Sequence, residues 1–158
     1  MKIKTIVPTM LFLCILYVFM QAYKVIMPVT LTTVNLTLEK LKVVGVNSKE
    51  LASIIDFAAK KYNHSPELII ALTQTESNFN EKAVSNMGYN GLMQIPVGVP
   101  SDANILIGSR ILREKLILAH GDMQKALCLY KGYKIGSKNG IREANKVIVL
   151  CQDIKLRI

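Results

Sequence analysis

The chain has 158 residues, enough for one domain with a modest core and not obviously for two. Hydrophobic residues make up 51% and charged residues 20%, which excludes a disordered or strongly acidic chain. A formal charge of +9 admits nucleic acid, an anionic membrane surface or an acidic polymer as partner. No nucleic-acid motif accompanies the charge, so nucleic acid is not expected.

From Thr5 to Tyr23 the sequence carries no charge, with Lys2 and Lys4 before it and Lys24 after it. Such a run is just long enough to span a bilayer as a helix. A cleaved signal peptide shares these features, but Gln21-Ala22-Tyr23 is a poor small-x-small cleavage site. Residues 1–23 therefore read as an uncleaved, N-terminal transmembrane helix. Bulky Leu11, Phe12 and Leu13 before Cys14 argue against lipoprotein processing there. Residues 24–46 read as a linker, extended over the uncharged, Val- and Thr-rich stretch Pro28 to Thr37, with a short helix allowed between Leu36 and Val44 before Gly45. The folded domain is expected over residues 47–158.

Asn47 with Glu50 three residues on has the pattern of a capping box, and Leu51, Ile54, Ile55 and Ala58 follow at helical spacing. A helix over residues 48–62 is predicted. Ser65, Pro66 and Glu67 then supply a cap, a first-turn proline and a first-turn acid for a second helix reaching about Ser77. Ile69, Leu72 and Glu76 share one face of it, so a carboxylate points where a core residue is expected. Burial against apolar neighbours raises a carboxyl pKa and keeps a proton available for donation. Glu76 is thus a candidate general acid; the competing reading is a surface acid in a fraying last turn.

The segment after Ser77 is too rich in Asn and Gly to continue a helix. Beyond Pro96 and Pro100, Ser101 or Asp102 caps a helix whose period runs to about Ala119, and Gly121 ends it. Asp122 caps another helix, containing Ala126 to Tyr133; Gly132 to Gly140 reads as a loop, and a last helix from Ile141 carries Ala144, Ile148 and Cys151 on one face. The fold class is mainly α. Cys14, Cys128 and Cys151 have no metal-ligand spacing, and His64 and His120 sit at a helix entry and a helix exit, so neither a zinc site nor a cofactor is expected. Cys128 and Cys151 fall on apolar helix positions as buried thiols, with a mutual disulfide as the alternative in an oxidising compartment.

Glu76-Ser77, Phe79, Ala83, Ser85, Gly88 and Gly91-Leu92-Met93-Gln94 stand at the spacing E-S-x-F-x-x-x-A-x-S-x-x-G-x-x-G-L-M-Q. This pattern resembles the signature of the lytic transglycosylases with the goose-type lysozyme fold. Asn104-Ile105 with Gly108 and Leu112 is similar to the family's next element, and Ala126 to Tyr133 resembles its A-L-A-A-Y-N-A-G segment. The likeness extends from about Ser48 to Tyr133.

That resemblance implies a small lysozyme-like helical domain acting on peptidoglycan without a cofactor. In the family a single glutamate protonates the glycosidic oxygen. It then deprotonates the muramic acid's own 6-hydroxyl, which closes a 1,6-anhydro ring, so one carboxylate serves both steps. Carried over, Glu76 is acid and base, and Tyr130 is catalytic as the hydroxyl that orients it. Ser85, Gln94 and Met93 bind glycan, and Phe79 supports the cleft, with core packing the simpler reading for Phe79 and Leu92. Gly88 and Gly91 permit a turn or close backbone approach. Lys131 departs from the family's asparagine and puts that residue's sugar contact in doubt. The competing functions are an inactive peptidoglycan-binding protein and a water-using lysozyme with a second acid such as Glu81 or Asp102. A domain of this size on an anchor suits local wall opening by a secretion, conjugation or phage-entry machine, with membrane, peptidoglycan and machine components as partners.

Overall fold

The computed structural model describes residues 6–158, with the side chains of residues 6–11, 13 and 22–29 outside the description. Six α-helices make up the described chain: α1 (Ile6–Val43), α2 (Lys49–Tyr62), α3 (Pro66–Ser77), α4 (Ser101–Leu118), α5 (Met123–Tyr130) and α6 (Lys138–Leu156). The mainly α expectation holds. The residues between α3 and α4 form isolated antiparallel bridges, Val84 with Asn90 and Asn90 with Ile95.

Local chemistry sets most helix ends. Ser65 accepts from Leu68 N at the start of α3, and Asp122 accepts from Lys125 N at the start of α5, both as predicted. At α2 the cap is Ser48, which accepts from Leu51 N, rather than Asn47. A serine directly before the helix reaches the first-turn N–H without the offset that Asn47 would need. Neither Ser101 nor Asp102 caps α4; it starts after Pro100 with no side-chain cap bond. The last helix starts at Lys138, with Ser137 accepting from Gly140 N, so the connecting loop is shorter than expected.

The helix α3 is the centre of the packing. Residues 67–73 are buried without interruption, so the helix has no solvent face over two turns, as expected for one surrounded by other elements. Helices α1, α2 and α6 pack against it. Their buried residues include Leu41, Ile55, Val147 and Ile154, while Ile105 and Leu112 of α4 and Leu127 of α5 complete the core.

The N-terminal segment differs from expectation. Residues 28–37 are helical, within the unbroken α1. The C-terminal part of α1 belongs to the packed domain rather than to an extended linker: Thr37, Leu38, Lys40 and Leu41 are buried, and Lys40 Nζ lies 2.8 Å from Glu67 Oε1. Apolar contact on α2 and α3 overrides the weak local signal. Burial raises the Glu67 carboxyl, but the Lys40 hydrogen bond and charge, with the Glu67 and Ser65 contacts, outweigh it and hold the group below its ordinary value. Among the described residues no helix is long and apolar enough to cross a membrane. The transmembrane helix expected over residues 1–23 is therefore not found there; residues 1–5 of that expectation lie outside the described chain. Described side chains in its remainder, Phe12 and residues 14–21, are exposed.

Candidate active site

Glu76 sits in the last turn of α3, and the chain leaves that helix through two consecutive left-handed residues, Asn78 and Phe79. A left-handed phenylalanine is unfavourable on its own. Its side chain is packed against the core, which holds the turn. This exit swings the following loop back over the end of α3.

Three helices grip that loop at residues 90–93. From α3, Ser77 Oγ donates to Leu92 O at 2.8 Å. From α4, Asn104 Oδ1 accepts from Met93 N at 2.8 Å while its Nδ2 donates to Asn90 O at 3.0 Å. From α5, the Tyr130 hydroxyl donates to Met93 O at 2.8 Å. Both glycines at these contacts have steric reasons. A Cβ on Gly91, whose φ is +76°, would lie 2.3 Å from Asn104 Nδ2, and one on Gly108 would lie 2.7 Å from Met93 Cβ. Gly88 faces open space, so its φ of +80° alone calls for glycine.

The side chain of Glu76 is 15% exposed, and its Oε1 lies 2.6 Å from Lys131 Nζ, itself 8% exposed. Lys131 is the residue after α5 and also reaches Thr75 Oγ1 at 3.5 Å. An ammonium stands where apolar neighbours were expected. Sequence reasoning noted Lys131 as a departure and missed this partnership, because the two residues are 55 positions apart. The signal available was a lysine next to Tyr130 in place of a neutral amide.

The remaining expected site residues divide. Tyr130 is brought close enough to feel the Glu76 charge, yet its hydrogen bond goes to Met93 O rather than to the carboxylate. Burial first, and the Glu76 charge second, push its phenol well above the ordinary value, so it remains a donor. The Met93 side chain is fully buried against Gly108, not open to a glycan. Gln94, left-handed at φ 47°, turns its amide onto Ala83 O and Gly91 O. Ser85 Oγ accepts from Tyr89 N within the loop. Glu81 and Asp102 line a separate cleft of about 670 Å³ with Ser48, Glu50 and Ile54, to which Glu76, Tyr130 and Lys131 do not contribute. Cys128 and Cys151 are buried free thiols, as the default reading had it, and no group able to hold a metal occurs among the described residues.

Residues 53–104 match the transglycosylase SLT domain. The match takes in Glu76, the whole gripped loop and Asn104; Tyr130 and Lys131 lie beyond it. A transglycosylase of Enterobacteria phage PRD1 is 36% identical over 88 residues, covering 49% of this chain and 33% of that protein. The chain thus spans about a third of the length of that relative. The lytic transglycosylase Slt of Pseudomonas aeruginosa, solved as an inactive mutant, superposes with a TM-score of 0.58 at 19% identity, over 66% of this chain and 24% of that one. The SLT-domain region therefore lies within a lysozyme-like helical fold of the lytic transglycosylase type.

Proposed function

We propose that this protein is a peptidoglycan lytic transglycosylase that cleaves the β-1,4 bond between N-acetylmuramic acid and N-acetylglucosamine and leaves a 1,6-anhydro end. The observation that carries the reading is Glu76: a largely buried carboxylate at the end of the central helix, beneath a loop fastened by three helices, inside the segment that matches the SLT domain. Such a constellation holds one carboxylate in a fixed place, which a reaction using it twice requires. Glu76 donates a proton to the glycosidic oxygen as the bond to C1 breaks. Its carboxylate then takes the proton of the 6-hydroxyl, whose oxygen closes on C1. Tyr130 acts indirectly, by fixing the loop through Met93, and Ser85 and Gln94 shape the loop that faces the glycan. The test is digestion of purified sacculi by the full chain beside Glu76→Gln, with mass spectrometry of the released sugars. Anhydro ends from the wild type alone support the reading; reducing ends point instead to a lysozyme with a second acid.

The Lys131–Glu76 ion pair gives a second reading, an inactive peptidoglycan-binding protein whose carboxylate is permanently engaged. Sacculus binding without release by the wild type would decide for it. In the favoured reading the place of action is the cell wall at a membrane or a virion. The phage relative supports wall opening by an entry particle, and exposed Phe12, Tyr17 and Phe19 support membrane contact by the N-terminal segment. Flotation of the full chain with liposomes checks the latter; a chain that stays at the bottom of the gradient removes that part of the proposal.

A further inference from the structure

The orienting bond expected between Tyr130 and Glu76 is absent because the phenol serves Met93 O. Another group holds the carboxylate. Lys131 Nζ reaches it at 2.6 Å and has a further oxygen, Thr75 Oγ1, at 3.5 Å. Thr75 Oγ1 itself donates to Leu72 O, so that second contact is tied to the α3 backbone. The base of the lysine is equally fixed. Its N–H donates to Leu127 O at the end of α5, and its neighbour Tyr130 is locked to the loop.

We propose that Lys131 is the positioning residue for Glu76: it fixes the carboxylate in the site through both steps of the reaction. This inference rests on the transglycosylase reading above. Holding a lysine at 8% exposure costs desolvation, and a surface ion pair could have formed without it. A compact ammonium on a long stem suits the task, because it makes one short contact and leaves the second carboxylate oxygen for the sugar. In the cycle Glu76 passes its proton to the glycosidic oxygen. It is then an anion beside Lys131 until it accepts the 6-hydroxyl proton as the new C1–O bond forms. Lys131 keeps its own proton throughout and touches no reacting atom.

The experiment compares full-length wild type, Lys131→Met, Lys131→Gln and Lys131→Arg on sacculi. It reads kcat and KM for anhydro-end release, together with thermal unfolding. Removal of the cation in Lys131→Met is expected to lower kcat roughly 10- to 100-fold with little change in KM, as for loss of a fixed electrostatic contact. Lys131→Arg is expected to recover most of the rate. Lys131→Gln serves if the methionine variant does not fold, since it keeps a polar donor, one bond shorter, without the charge. An active wild type with equally active or faster Met and Gln variants overturns the positioning role and leaves the parent reading intact. Loss of rate that follows only loss of fold, without rescue by arginine, also overturns it. An inert wild type overturns both.

Discussion

The Tyr130 hydroxyl donates to the Met93 carbonyl oxygen at 2.8 Å, and through this bond α5 is fastened to the loop above Glu76. Tyr130 is thereby a brace for backbone rather than a direct partner of the carboxylate. Replacing it by phenylalanine leaves the aromatic packing and removes the donor. Tyr130→Phe is expected to lose about 1–3 kcal/mol of stability, the range for an interior acceptor left unpaired. Urea unfolding measures the loss, and unchanged stability would show that Met93 O is satisfied in another way.

Gly108 permits α4 to lie against both members of that bond. A methyl group there would come within 2.6 Å of Met93 Sδ, 2.7 Å of Met93 Cβ and 3.0 Å of the Tyr130 oxygen. The thioether can swing aside, but the Cβ moves only with the gripped backbone. Gly108→Ala should cost about 1–3 kcal/mol from overpacking, and adding Met93→Gly, which removes the Cβ, should recover part of it. A double-mutant cycle in urea checks the coupling; strict additivity would contradict the contact.

Lys40 and Glu67 provide a test of where the folded domain begins. They pair at 2.8 Å with both side chains 11% exposed. Lys40→Met alone leaves a buried carboxylate unpaired and is expected to cost about 3–5 kcal/mol, whereas Lys40→Met with Glu67→Leu should be close to neutral. If residues 33–43 were merely a tether, the single variant would cost nothing.

His64 sets a pH dependence at higher pH than the carboxylates. Burial, opposed by the hydrogen bond to Ser109 O and helped by the Arg113 charge, lowers its pKa from the ordinary 6.5. Its Nε2 pairs with that carbonyl at 3.0 Å, and Nδ1 is buried with no partner among the described residues. A proton on Nδ1 would be an unmatched interior donor. Below pH 6.5 the unfolded chain therefore binds a proton that the folded chain resists, and stability falls as pH falls. Denaturation at pH 7.5 and 5.5 should show this loss in the wild type and a smaller one in His64→Gln. Staying above pH 5 keeps Glu67, whose pairing is lost only below the ordinary carboxyl range, out of the comparison.

What could be read from the sequence was chiefly local. Ser65, Pro66 and Asp122 act within one turn of themselves, and the helices they start lie close to their predicted limits. Glycine spacing around Met93 was equally legible as a need for close approach, though the groups approached were not. Long-range partners decided the rest. The bond from Tyr130 to Met93 spans 37 residues and the pair Lys131–Glu76 spans 55, so neither acceptor could be assigned from spacing. Residues 28–37 have weak helix signals of their own, and their helix continues into Leu38 and Leu41, which pack on the core. Met93 looked available to substrate because its motif surrounds a cleft in the resembling family. Its backbone is what the motif secures here, and its side chain fills space beside Gly108.

Because α1 continues without a break from Ile6 into the packed domain at Leu41, the N-terminal segment and the site share one shaft. At 1.5 Å per residue its 38 residues measure about 57 Å. A loose tether of the same length would let the domain wander through a sphere of positions. A helical shaft instead sets a distance and a heading, so whatever grips the far end also sets where Glu76 stands.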